Sequence, residues 1–387
     1  MTGCSNDVIR VVVENSIDID RHPEIIELSA NDLKSKLPIS DDESYVIKDS
    51  RGTETPYQIT TDGKYIFQVQ MSALDKKTYT IGKGTPSEFE SLVFAKHYPD
   101  KDGDFAWEND KIGFRMYGHD LDVASGYDLF CKRGTHLPIL EQLYSNEVYG
   151  SNAWKRYREL EKISQEAAFR FKMDTLSFHV DRGYGMDVYA VGPTLGAGIA
   201  ALMENEEISY PYCFKTYEII EKGPLRLQVK FTFRPITVGE NKEVVETRTI
   251  TIDAGSHLNY TKVSYDNLSE TKEIVAGIIM REEGGEPHTD MDCGYISYPA
   301  PTQNHDTTKV VDNGTIYVGH VYPKPMNEAK IMQGHILATT TYNPGDVFSY
   351  YWGFGWNHSD ILSHQQWDEY LETFAAQLKT PLTIKLK

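Results

Sequence analysis

Leu225-Arg226-Leu227-Gln228-Val229-Lys230-Phe231-Thr232-Phe233 decides the fold. Apolar residues take every second position with polar ones between, the period of a strand that turns one face to a core. Runs of the same kind follow at short intervals: Val244 to Asp253, Leu258 to Asp266, Ile274 to Met280, Thr315 to Tyr322, Gly334 to Thr341 and Asp346 to Gly355. Many short strands so spaced predict antiparallel sheets packed as a sandwich. Toward the N-terminus, Val8 to Val13, Lys64 to Gln70 and Lys77 to Gly82 also read as strands, and Asp62-Gly63 marks a hairpin turn.

Two stretches break the pattern. From about residue 137 to 172 the chain is rich in Glu, Lys, Arg, Leu and Ala, with Trp154, Tyr157, Leu160 and Ile163 at helical spacing. This predicts a helical insertion whose stripe is core packing. Near the end, Ser363 and Gln366 form a capping box, Trp367, Leu371, Phe374 and Leu378 share a face, and Pro381 stops the helix. The expected class is mainly β: an antiparallel supersandwich over residues 8–387 with a helical insertion and a C-terminal helix, after a linker at 1–7.

Composition narrows the function. Net charge is −18, with 57 acidic residues against 39 basic ones and no Lys/Arg run, which argues against nucleic acid as a partner. A local Arg can still bind an acidic sugar, because a pocket's own field outweighs the global one. No apolar run approaches the roughly 18 residues of a membrane span. The 25 Tyr, 15 Phe and 5 Trp suit a β-rich protein and a sugar site with stacking faces. Cys4, Cys131, Cys213 and Cys293 lack the spacing of a zinc site. Met1-Thr2-Gly3-Cys4-Ser5-Asn6-Asp7 looks like the end of a bacterial lipoprotein signal, with Cys4 as the lipidated residue. At most one disulfide is then possible among the other three.

The densest chemistry lies in Phe178-His179-Val180-Asp181-Arg182-Gly183-Tyr184-Gly185-Met186-Asp187-Val188-Tyr189 and in the stretch from Asp104 to His119. His119 and His179 are the candidate acid/base groups, since imidazole titrates near neutrality. Tyr117 and Tyr184 are further candidates for proton transfer. Arg115 offers a bidentate fork and Asn109 an amide for a carboxylate. Trp107, Arg182, Asp187, Trp356 and His358 are candidate substrate contacts, and Gly183 and Gly185 allow close backbone approach. His288, Asp290 and Asp292 lack an EF-hand or metallohydrolase spacing, so no cofactor is expected, the alternative being a structural or carboxylate-bridging cation near these three.

The run from Ala106 to Gly118, with Ser125-Gly126-Tyr127-Asp128-Leu129, His179 to Gly192 and Gly353-Phe354-Gly355-Trp356, resembles a family of secreted bacterial proteins. That family was first described as a domain of unknown function in polysaccharide-utilisation clusters, and is similar to the oligosaccharide dehydratase of ulvan degradation. The resemblance implies a galactose-mutarotase-like sandwich and elimination of water from a nonreducing-end glucuronate or iduronate, giving a 4,5-unsaturated uronyl product. The chain departs from the family pattern at Tyr184, where an acidic residue is expected, which leaves the identity of the base open. A polysaccharide lyase, a sugar epimerase or a noncatalytic glycan-binding lipoprotein would use many of the same residues. The implied partner is an acidic oligosaccharide. The implied location is the bacterial cell envelope, periplasm or outer membrane, with membrane contact only through a lipid on Cys4. Cys4→Ser in the precursor should move the protein from the membrane to the soluble fraction; an unchanged partition would remove the lipoprotein assignment.

Overall fold

The computed structural model describes residues 8–118, 121, 124, 126–134, 138–147 and 151–387. The deciding stretch forms the strand Arg226–Phe233, with Leu227, Val229, Phe231 and Phe233 buried. It lies in a nine-stranded antiparallel sheet. The path runs Phe214–Lys222, Arg226–Phe233, Asn241–Asp253, Leu258–Asp266, Phe348–Trp356, Thr315–Val321, Tyr295–Pro301 and His288–Asp290, and Ile236–Val238 pairs beside the third. Tyr295–Pro301 gave no clear strand signal, because two prolines interrupt its pattern.

The inner face of this sheet is covered by two five-stranded sheets. One orders Gly185–Met186, Asp128–Lys132, Gly113–Met116, Asp104–Asn109 and Val93–Tyr98; the other is built around Ala200–Glu204, Lys272–Ile279 and His335–Tyr342. Trp107, Phe114, Tyr127, Phe231, Trp352 and Phe354 meet in the core between them. Tyr127 and Trp352 stack with ring centroids 3.8 Å apart, an arrangement that adds to their burial. The architecture is therefore the mainly β antiparallel sandwich expected from the alternation.

The outer face is covered by the C-terminal helix, His364–Lys379. Ser363 Oγ accepts from the Gln366 N–H as predicted, but Gln366 Oε1 reaches back to the N–H of Leu362 instead of completing the box at Ser363. Trp367 and Leu371 settle into a shallow trough where Gly319 pairs with Gly353. A Cβ on Gly319 would stand 2.6 Å from both side chains. After the helix, the strand Thr383–Leu386 pairs with Val8–Glu14, the first strand. It thereby joins a small sandwich made by residues 8–84, which has its own core of Val11, Leu33, Tyr45, Phe67 and Ile81. The core of this small sandwich is separate from the main one, and the two parts are bridged by Arg226 to Glu27 and by Gln58 to Glu221.

The insertion forms three helices, Ile139–Glu147, Asn152–Glu161 and Gln165–Phe171, the last running into a π turn at Lys172–Leu176. Ser151 and Ser164 cap the second and third. Trp154 is buried, whereas Ile163 falls between helices and is 78% exposed, so the packed stripe ends at Leu160. Cys131, Cys213 and Cys293 are all free thiols, so the single allowed disulfide does not form.

His320 sits wholly inside the sandwich, bonded to Tyr322 Oη and the Ala197 carbonyl at 3.0 Å each. Burial pushes its pKa down from 6.5 to about 4. Protons then bind the unfolded chain first, so the stability His320 supports is full above 6.5 and drains as pH falls toward 4. The Tm should drop as pH is lowered from 7 to 5, and His320→Gln should flatten that dependence; equal slopes would refute the assignment.

Candidate functional site

At one end of the sandwich a cavity of about 620 Å³ opens, lined by Arg115, Tyr117, Asp128, His179, Asp187, Tyr189, Ala190, Val191, Gly192, Arg281, Glu283, Pro301, Thr302, Gln303 and His305. That is within the size of small-ligand sites, about 300–1,000 Å³. Its floor comes from two neighbouring strands. Arg115 and Asp128 are register partners, so their side chains emerge on one face, while Phe114, Met116 and Leu129 point to the core.

Arg115 is buried and fully engaged. Its guanidinium bonds Asp128 and lies 2.9 Å from Asp187 Oδ2 and 3.7 Å from Asp104 Oδ2. The rings of Tyr117, Phe130 and Phe178 stand within 4.6–5.4 Å of it. Asp104 is pushed up to about 6, chiefly by burial. Arg115 is therefore not the open fork for a ligand carboxylate that its sequence position suggested; three aspartates compete for its charge. Tyr117 Oη donates to Asp128 Oδ2 (3.1 Å) and accepts from Arg115 (3.2 Å), and burial keeps its phenol protonated.

His179 faces the cavity from the loop after the π turn. Gly185 holds that loop against the sheet: it has φ +137°, and a Cβ would lie 2.0 Å from the Cys131 carbonyl. His179 Nδ1 is 2.7 Å from the Asp187 carbonyl oxygen, which only accepts, so Nδ1 carries the hydrogen and Nε2 keeps its lone pair. The Asp187 carboxylate lies 3.6 Å from the same Nδ1. Burial first, then the neighbouring His305, lowers the His179 pKa to about 3, so the ring is neutral. His305 stacks on it at 3.8 Å.

Across the cavity, Arg281 gives Nη2 to the carbonyls of Ala190 and Val191. Its Nε is buried with no partner among the described residues, and so is the Tyr189 hydroxyl. Arg281 thus has hydrogen-bonding capacity to spare among the described residues.

Other sequence-derived candidates lie elsewhere. Asn109 closes a turn, donating to the carbonyls of Asp253 and Ser256 and accepting from the amides of Lys111 and Ile112. Trp107 is a core ring whose Nε1 bonds Asn259. Arg182 caps the carbonyls of Met173 and Ser177. Tyr184 packs against the Tyr98–Tyr144 cluster, off the cavity. Trp356 is buried under Arg133, and the His358 carbonyl accepts from that same Arg133. These are corrections: Asn109, Trp107, Arg182, Trp356 and His358 have their polar groups engaged by the fold, and Tyr184 packs into an aromatic cluster with its hydroxyl buried and unpartnered among the described residues. His119 and Cys4 lie outside the described residues. Asp290 and Asp292 do not join His288: Asp290 Oδ1 accepts from the Cys293 amide, and the Asp292 carbonyl accepts from Lys379. The sequence reading missed Asp128, Tyr189, Arg281, Gln303 and His305 as site residues.

The family described as a domain of unknown function, DUF4861, matches residues 13–384. The chain belongs to the DUF4861 family. It is also similar to "Uncharacterized protein P7" of Formosa agariphila, 23% identical over 398 residues, covering 97% of this chain and 93% of that protein. In fold it is similar to an alpha-mannosidase from Enterococcus faecalis V583 (TM-score 0.51, 9% identity, 99% of this chain and 46% of that one). A protein in the Glycosyl Hydrolase Family 38 from Enterococcus faecalis gives TM-score 0.50 at 10% identity, with 99% and 48% covered. The DUF4861 chain thus spans less than half the length of those two structures, and the likeness is one of fold.

Removing Arg115 would leave three buried carboxylates facing each other, so Arg115→Gln should cost about 3–5 kcal/mol of stability. Arg281→Gln, at the cavity wall, should cost only about 1 kcal/mol. Urea unfolding of both variants checks this, and equal losses would contradict the distinction between a structural and a ligand-facing arginine.

Proposed function

We propose that this DUF4861 protein eliminates water from a nonreducing-end uronic acid of oligosaccharides, as a carbohydrate-active carbon-oxygen lyase. The observation that carries the reading is the fixed tautomer of His179: an unprotonated Nε2 in a cavity of sugar size, backed by a carboxylate. The resemblance in sequence and a fold like that of carbohydrate-active enzymes support it.

H5 of a uronate is weakly acidic because its carboxylate is already negative, so the carboxylate must be neutralised before the proton leaves. Arg281 takes that role. His179 Nε2 takes H5, and the imidazolium formed is stabilised through Nδ1 by Asp187. The C5–H electrons form C4=C5, the C4–O4 bond breaks, and the departing hydroxyl leaves as water with a proton from Tyr117. His179 returns its proton to solvent, and Tyr117 is reprotonated from it. Burial, with His305 stacked alongside, keeps His179 neutral, so its Nε2 lone pair is free. A cavity of about 620 Å³ has room for the tip of an oligosaccharide already released by other enzymes, which fits a lipid-anchored protein of the cell envelope.

Incubation with glucuronyl-rhamnose oligosaccharides should raise absorbance in the conjugated-enoate band and remove one water by mass. His179→Ala should slow this by about 10²–10⁴-fold while retaining binding. Fragments from a broken glycosidic bond would indicate a lyase of the polysaccharide type. Several uronate-tipped oligosaccharides left unchanged would overturn the dehydratase reading.

A further inference from the structure

On the outer face of the nine-stranded sheet, none of it lining the cavity, His288, His364 and Asp368 each bring one ligand atom within 4.8 Å of the others. Their placement follows from the fold. His364 and Asp368 are four residues apart on the C-terminal helix and so share a face. His288 opens the edge strand His288–Asp290. His288 Nδ1 is 2.6 Å from Asp368 Oδ2, and His364 Nε2 is 3.5 Å from Asp368 Oδ1.

We propose that this cluster binds one zinc-like divalent transition metal through His288 Nδ1, His364 Nε2 and the Asp368 carboxylate, tying the edge strand to the helix. Two imidazoles and one carboxylate are a borderline donor set that suits such a metal and not the all-oxygen preference of calcium or magnesium. Ligands about 2.0–2.1 Å from a tetrahedral zinc stand about 3.3 Å apart. The His364–Asp368 spacing already meets this. His288, half exposed on the edge strand, must draw back by about 0.7 Å from Asp368, replacing a hydrogen bond with a metal bond. A fourth position stays open to water.

The surroundings are those of supported ligands. Ser297, fully buried, places Oγ 2.5 Å from Asp368 Oδ1 and 2.8 Å from His364 Nε2. The ring of His364 lies parallel to that of Tyr317 (4°) and stacks on His288 at 4.1 Å. The stacking holds the two imidazoles in place, whereas the Ser297 contact lies on the ligating nitrogen itself and gives way when the ion binds.

Chelator-treated protein titrated with ZnCl2 should show one saturable site per chain by calorimetry, and its Tm should rise by a few degrees in excess zinc but not in MgCl2. His288→Ala, whose side chain is 51% exposed, should abolish both effects. His364→Gln should do the same. Absence of a saturable 1:1 site in the unmodified protein, or zinc binding unchanged in both variants, would overturn the assignment. Activity plays no part in this readout, so its outcome is independent of the dehydratase reading.

Discussion

The nine-stranded sheet must be covered on both faces, and this requirement organises the molecule. Along Phe348–Trp356 the alternate residues Phe348, Tyr350, Trp352, Phe354 and Trp356 all enter the main core. The opposite face is not left polar: Tyr295, Tyr317 and Val321 form a second apolar surface. A sheet in that state would expose a large apolar patch unless something packs on it. The amphipathic helix His364–Lys379 does so, helped by glycines that lower the sheet beneath Trp367. The last strand then carries the chain back to the first, binding the small N-terminal sandwich to the larger one.

The site follows from the same logic applied to a smaller sheet. The strands Gly113–Met116 and Asp128–Lys132 are buried on both faces, so Arg115 and Asp128 cannot keep their charges in water. They meet each other instead, with Asp187 supplied by the loop that also carries His179. The ion cluster therefore fixes the distance between the floor of the cavity and its candidate base. Lowered histidine pKa values and raised tyrosine ones are consequences of that shared burial. An apparently strong ligand such as Arg115 is engaged by the fold, and the less conspicuous Arg281 lines the same cavity with its Nε unpartnered among the described residues.

Much of the fold was legible. Strands with one buried face, such as Leu258–Asp266, were read to the residue, because alternation records which side faces the core. The hairpin at Asp62-Gly63 and the cap at Ser363 were equally clear, since both rest on local backbone chemistry. Strands buried on both faces, such as Asp128–Lys132, and the proline-bearing Tyr295–Pro301 gave no such record. The site was legible by half. His179, Tyr117, Arg115 and Asp187 do converge, whereas Trp107, Asn109 and Trp356 have the composition of a sugar site and the position of a core.

The amino-acid sequence by itself determined the β class, the helical insertion, the terminal helix and the segment that carries His179. These depend on periodicity and caps, which act over a few residues. Only the tertiary structure decided which charges were free. His305 and Arg281 reach the cavity from strands and loops far along the chain, and no local pattern marks either one. The roles of Arg115 and Asp368 likewise depend on partners that meet only when the sheets close. Burial and pairing belong to the packed whole, and they set whether a side chain builds the protein or serves a ligand.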